Sequence, residues 1–144
     1  MSQSNQPTSG RQFGYVVAII VNVAMIYIFN NLLSWHLPYI SQVLAPAFTN
    51  CLWAINLSLS VTIFMNFIFL VFDPRWFHRM MEAIQNVFAL VSMYVFYSIF
   101  PLELPSLMLA QIVHWALLLA MFVIGIAIVV EVLQSIRYFA RSEL

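Results

Sequence analysis

The sequence predicts an all-α fold: a polytopic integral membrane protein built as a four-transmembrane-helix bundle, with both termini on the cytoplasmic side. Three observations predict it. Hydrophobic residues make up 64% of the 144-residue chain and charged residues only 7%, against about 25% charged in an ordinary soluble domain. Apolar segments follow one another at residues 13–34, 44–72, 83–100 and 104–133, each close to or beyond the about 20 residues that carry a helix across a hydrocarbon core of about 30 Å. The basic side chains are five arginines, at positions 11, 75, 79, 137 and 141. They fall before the first segment, between the second and third, and after the fourth. Because cytoplasmic loops retain Lys and Arg, this asymmetry puts both termini and the middle loop inside.

Each element follows from its own residues. Residues 1–12 are mostly polar and open with MSQSNQPTSG, which has no large apolar group to offset the entropy of ordering, so a flexible cytoplasmic tail is expected. The run at 13–34 is too long for a signal-peptide hydrophobic region and lacks a small-residue cleavage site after it, so it reads as the first span. Helices are the expected spanning element, since hydrocarbon offers no partners to an unpaired backbone and four strands would not close a barrel.

Trp35, His36, Leu37, Pro38 and Tyr39 interrupt the apolar pattern. Pro46 then suits the start of the second helix, where a missing N–H costs little. Asp73 and Pro74 read as an N-cap followed by proline at the first helical position, so the third helix should start at 74 and run through a cytoplasmic extension before the span at 83–100. Pro101 ends that helix and Pro105 suits the first turn of the last one, leaving a tight outer connection. The single transmembrane domain thus covers residues 13–139, with a cytoplasmic tail at 140–144. Trp35 and Tyr39 belong to the outer aromatic belt, and Trp76 and Tyr138 to the inner one.

Polar side chains inside the spans are the informative minority. On the second helix, Cys51, Ser58, Thr62 and Asn66 share one face at 100° per residue, while Thr49, Asn56 and Ser60 fall nearly opposite. A helix polar on two faces should be covered on both, which makes it central to the bundle. Asn22 on the first helix lies at a depth suited to Ser60 or Thr62. On the third helix, Arg75, His78, Arg79, Glu82, Gln85 and Asn86 follow helical spacing as a stripe running from the cytoplasm into the membrane, with Arg79 and Glu82 placed to pair at i, i+3. The fourth helix carries His114 on the face of Gln111, Leu118, Met121 and Gly125, and Glu131 near its inner end. Ionisable groups in spans usually face protein and find partners: Asn50, Asn56 or another polar neighbour for His114, and for Glu131 either an arginine (Arg11, Arg75, Arg79 or Arg137) or, as the commoner case, a snorkelling position at the inner interface. Ala116 and Ala120 form a small-xxx-small pair that admits a close backbone.

Several chemistries lack their residues. Zero net charge with neutral histidines offers no basic surface to nucleic acid. The single cysteine, Cys51, excludes an internal disulfide and a CxxC pair, and reads as a small buried hydrophobe. Three glycines do not build a phosphate-cradling loop, and neither HExxH nor GxSxG occurs. His36 and His114 point outward and His78 inward; a combination of His36, Glu103 and His114 is geometrically conceivable, but no spacing supports it, so neither metal nor cofactor is expected.

The function expected from these residues is non-enzymatic. The protein should act through helix association in the bilayer, as a homo-oligomer or as a small subunit of a larger membrane complex. In that reading Asn22, Asn56, Ser60, Thr62, Asn66, Gln111, His114 and Glu131 are interhelical contacts; the alternative is a small oligomeric channel or transporter for an ion or solute, with the same residues along its path.

Overall fold

A computed structural model describes residues 9–35 and 37–142. Residues 1–8 of the expected N-terminal tail, His36, and residues 143–144 of the expected C-terminal tail lie outside the described residues. Among the described residues the protein is all-helical, without a strand. Its elements are α1 (Ser9–Asn31), a short α2 (Ile40–Val43), a 3-10 turn (Pro46–Cys51) leading into α3 (Leu52–Val71), α4 (Arg75–Ile99) and α5 (Leu107–Ser142). Four helices, α1, α3 with its 3-10 turn, α4 and α5, are long and apolar enough to cross a membrane.

The ends of these helices depart from expectation for local reasons. α1 already starts at Ser9, since a helical turn needs no apolar residues of its own. It stops before position 34 because the Asn31 carbonyl accepts both the Ser34 and the Trp35 N–H, at 3.0 and 3.2 Å, and turns the chain. α5 runs through the polar stretch after Leu133 to Ser142, so residues 140–142 of the expected C-terminal tail continue the last helix. At 36 residues it is about 54 Å long.

Pro74 lies just outside α4 in extended conformation, and no side chain caps the helix. The Pro74 carbonyl instead accepts the first intrahelical bond, from the His78 N–H at 2.9 Å. The expected Asp73 cap is therefore absent: Pro74 takes the cap position, and the Asp73 carboxylate is engaged by side chains of α1 and α4. At the other end of α4, Phe100 adopts left-handed backbone angles, φ 43° and ψ 68°. Pro101 disfavours the right-handed helical region for the residue before it, so the chain leaves the helix through Phe100.

Packing follows chain order: α1 lies against α3, α3 against α4, and α4 against α5, with α4 and α5 packed most extensively. α3 does touch helices on two sides, but so does α4, so the interior of the assembly is shared by both. Short connections make sequence neighbours spatial neighbours, and α1 and α5 are not a substantially packed pair. Among the described residues of the helices, the buried apolar ones are Phe48, Cys51, Ala54, Phe69, Met81 and Ala83. They lie on α3, its 3-10 turn and the first turns of α4, and Cys51 is fully enclosed.

The connections at the Phe100 end are tied together. The Ala45 N–H donates to the Pro101 carbonyl at 2.9 Å and the Glu103 N–H to the Val43 carbonyl at 2.7 Å, forming an isolated antiparallel bridge between Leu44 and Leu102. Pro101 is fully buried beneath it. The α1–α3 hairpin is thereby fastened to the α4–α5 hairpin at this end.

Candidate functional site

The most concentrated polar chemistry lies at the opposite end of the helices. Arg11 and Tyr15 stand four residues apart on α1 and so share a face. Asp73, in the α3–α4 connection, is turned toward that face with its side chain wholly shielded from solvent. Its Oδ2 accepts from the Tyr15 hydroxyl at 2.6 Å and pairs with Arg11 Nη2 at 2.9 Å. Its Oδ1 faces His78 Nδ1 at 2.7 Å. The other ring nitrogen, Nε2, faces Glu82 Oε1 at 3.2 Å, while Arg79 Nη1 donates to Glu82 Oε2 at 2.7 Å.

Each nitrogen of His78 therefore faces an acceptor-only carboxylate oxygen. Both contacts are satisfied together when each nitrogen carries a proton, as in the imidazolium. The imidazole also lies 4.4 Å from the buried Phe69 ring, which itself contacts Tyr15 at 5.5 Å. In its imidazolium form His78 is held between two carboxylates and an aromatic face. The formal charges of Arg11, Asp73, Arg79 and Glu82 cancel, so His78 sets the sign of the cluster.

Beside this network is a cavity of about 290 Å³ lined by Arg11, Arg75, His78, Arg79 and Tyr138. It joins the start of α1, the start of α4 and the end of α5. Three residues of the expected α4 stripe, Arg75, His78 and Arg79, line it. Glu82 pairs behind them, and Asn86 turns to α5.

The Asn86 amide donates to both oxygens of Glu131, at 2.9 and 2.8 Å. Glu131 thus takes a partner other than the arginines considered for it: the arginines gather nearer the helix ends, and Asn86 is the donor that α4 presents at the level of Glu131. Gln85 Nε2, one residue away, is buried without a hydrogen-bond partner among the described residues. Lower on the same pair of helices, the Ser135 hydroxyl donates to the Trp76 carbonyl at 2.8 Å.

The remaining sequence-selected residues are dispersed. Asn22 does not reach Ser60 or Thr62; its amide donates to the Ala18 carbonyl of its own helix at 2.7 Å. Thr62 and Asn66 likewise return to Ser58 and Thr62 carbonyls, at 3.1 and 2.7 Å. Such i−4 bonds satisfy a polar side chain without a second helix. Asn56 exchanges amide bonds with Asn30, at 2.8 and 3.0 Å. Ser60 and Gln111 are exposed.

His114 finds neither Asn50 nor Asn56. Its Nδ1 lies 3.0 Å from the Ala110 carbonyl, and its ring stacks on Phe100 at 3.9 Å, with Tyr97 edge-on at 5.2 Å. The imidazole does face protein, but the rest of its helical face is incompletely covered. Leu118 is exposed, and a Cβ placed on Gly125 would meet nothing within 4 Å.

No protein-family model matches this chain, and no curated protein or solved structure is significantly similar to it. The residues alone carry the functional reading.

Sequence reasoning overlooked Tyr15, Asn30 and Ser135, and took Asp73 for a cap. A signal for the first existed: Arg11 and Tyr15 form a polar pair at i, i+4 next to an otherwise apolar run, and Asp73 is the one acidic residue in the facing connection. Asn30 and Ser135 become visible only once the rotation of each helix is known.

Proposed function

We propose that the chain is a multi-pass integral membrane protein, with both termini cytoplasmic, that acts without catalysis through helix association. It works as a homo-oligomer or as a small subunit of a larger membrane complex. One observation carries this reading: the helices are packed in a row, so α1 and α5 contribute no buried residue from their most apolar stretches, while Gln111 and Ser60 face outward among exposed apolar side chains. Amide and hydroxyl groups are poorly accommodated by lipid and are ordinarily covered by a neighbouring helix. The shallow apolar concavity on α5 formed by Met121, Phe122, Gly125, Ile126, Val129 and Val130 offers a place where a neighbouring backbone comes close. The arginines support the orientation, since Arg11, Arg75 and Arg79 meet at one end and no basic residue stands in either connection at the other.

Extraction of the full-length protein from its membrane in a mild detergent, followed by native mass spectrometry, tests the reading. A defined oligomer or a stoichiometric partner is expected. A monomer without a partner at membrane-like protein density overturns it.

A further inference from the structure

The basic cavity between α1, α4 and α5 has features that a scatter of interfacial arginines does not share. Its wall is formed by Arg11, Arg75, His78, Arg79 and Tyr138, and neither nearby carboxylate is part of it; His78 engages both ring nitrogens with those carboxylates, so the donors open to a ligand are the three arginines and the Tyr138 hydroxyl. Asp73 and Glu82 lie behind the wall and hold Arg11, Arg79 and His78 in place, at 2.9, 2.7 and 2.7 Å for the closest contacts. Each of those arginines spends one terminal nitrogen on a carboxylate, and a guanidinium has five N–H donors, so further donors remain for a ligand. Arg75 forms no ion pair among the described residues and is exposed.

We infer that this cavity binds a phosphate group. A planar guanidinium matches phosphate oxygens two at a time. The volume of about 290 Å³ far exceeds the about 30 Å³ share of one water molecule, leaving room for phosphate and the first atoms of whatever carries it. The setting favours a lipid headgroup as that carrier. Exposed Val71 and Phe72 precede the basic residues and exposed Met80 follows them, so donors stand where an apolar helix surface meets a polar rim, the level of lipid phosphates. The lipid carrier rests on the proposed membrane insertion, whereas the phosphate assignment itself does not.

The test uses the full-length protein in mild detergent, titrated with phosphatidic acid or phosphatidylcholine and read by native mass spectrometry. Wild type should retain one phosphatidic acid per chain in preference to phosphatidylcholine. Arg75→Gln should weaken that retention about tenfold, the loss expected for one charge-assisted contact. Arg137→Gln removes the same charge from the end of α5 without touching the cavity wall, and should change retention by less than about twofold. Equal losses in the two variants, or no preference for phosphatidic acid, would overturn the site. Circular dichroism checks that both variants fold, and Arg75→Lys should fall between Arg75→Gln and wild type. Competition with millimolar inorganic phosphate identifies the carrier: displacement assigns a soluble phosphate, persistence assigns the lipid, and either result requires the same arginines.

Discussion

The Asp73 carboxylate accepts from Tyr15 and pairs with Arg11 and His78 while wholly shielded, so the consequences of altering each partner differ. Asp73→Ala leaves a hydroxyl and a ring nitrogen without acceptors and should cost on the order of 2–4 kcal/mol. Tyr15→Phe removes one neutral donor and should cost about 1 kcal/mol. Arg11→Ala should cost less than about 1 kcal/mol, because that side chain is half exposed and its pairing is screened. Thermal unfolding in detergent, followed by circular dichroism, gives the ranking; an Arg11 effect equal to that of Asp73 would contradict it. Phe100 presents a second residue-scale balance. Its left-handed backbone costs about 1–2 kcal/mol, and glycine would remove that strain but also the ring stacked on His114. Phe100→Gly should therefore change the unfolding midpoint little, and Phe100→Ala, which loses the ring and keeps the strain, should lower it clearly.

At the scale of the helices, existence was legible and contact was not. Composition alone announces an element that must satisfy its own backbone, so all four long helices were foreseen. Their ends were harder to read, because apolar content marks the stretch suited to hydrocarbon and not the helix itself. α5 continues through Gln134, Arg137 and Arg141 since nothing there breaks it. Partners depend on how each helix is rotated, which sequence spacing does not set. Asn22, Thr62 and Asn66 were assigned to neighbours and instead return to their own helices, while Glu131 takes an amide in place of a guanidinium. That last pair is testable at its interface. Asn86→Leu should destabilise α4–α5 packing by about 1 kcal/mol, within the range of interhelical hydrogen bonds in bilayers. Converting both Asn86 and Glu131 to Leu should recover most of it, since the double replacement leaves no orphaned carboxylate.

For the whole molecule, the proposed orientation makes the two ends of the helix row chemically distinguishable. In a Cys51→Ser background, which removes the one native thiol, Glu103→Cys should react with a membrane-impermeant maleimide in intact cells. Ser9→Cys should react only after permeabilisation. The reverse pattern would invert the proposed topology while leaving the helix packing untouched.

The molecule's two long-range fastenings lie far apart along the helices but close in kind, since each joins segments distant in sequence. Tyr15 meets Asp73, and Leu44 meets Leu102. A chain made from its N-terminus reaches them in a fixed order. The Asp73 contact can close once α3 and its connection have emerged, before α4 exists. The Leu44–Leu102 bridge must wait until α4 has been completed. During synthesis the first hairpin can therefore be locked at its charged end while its other end stays open to receive the second hairpin.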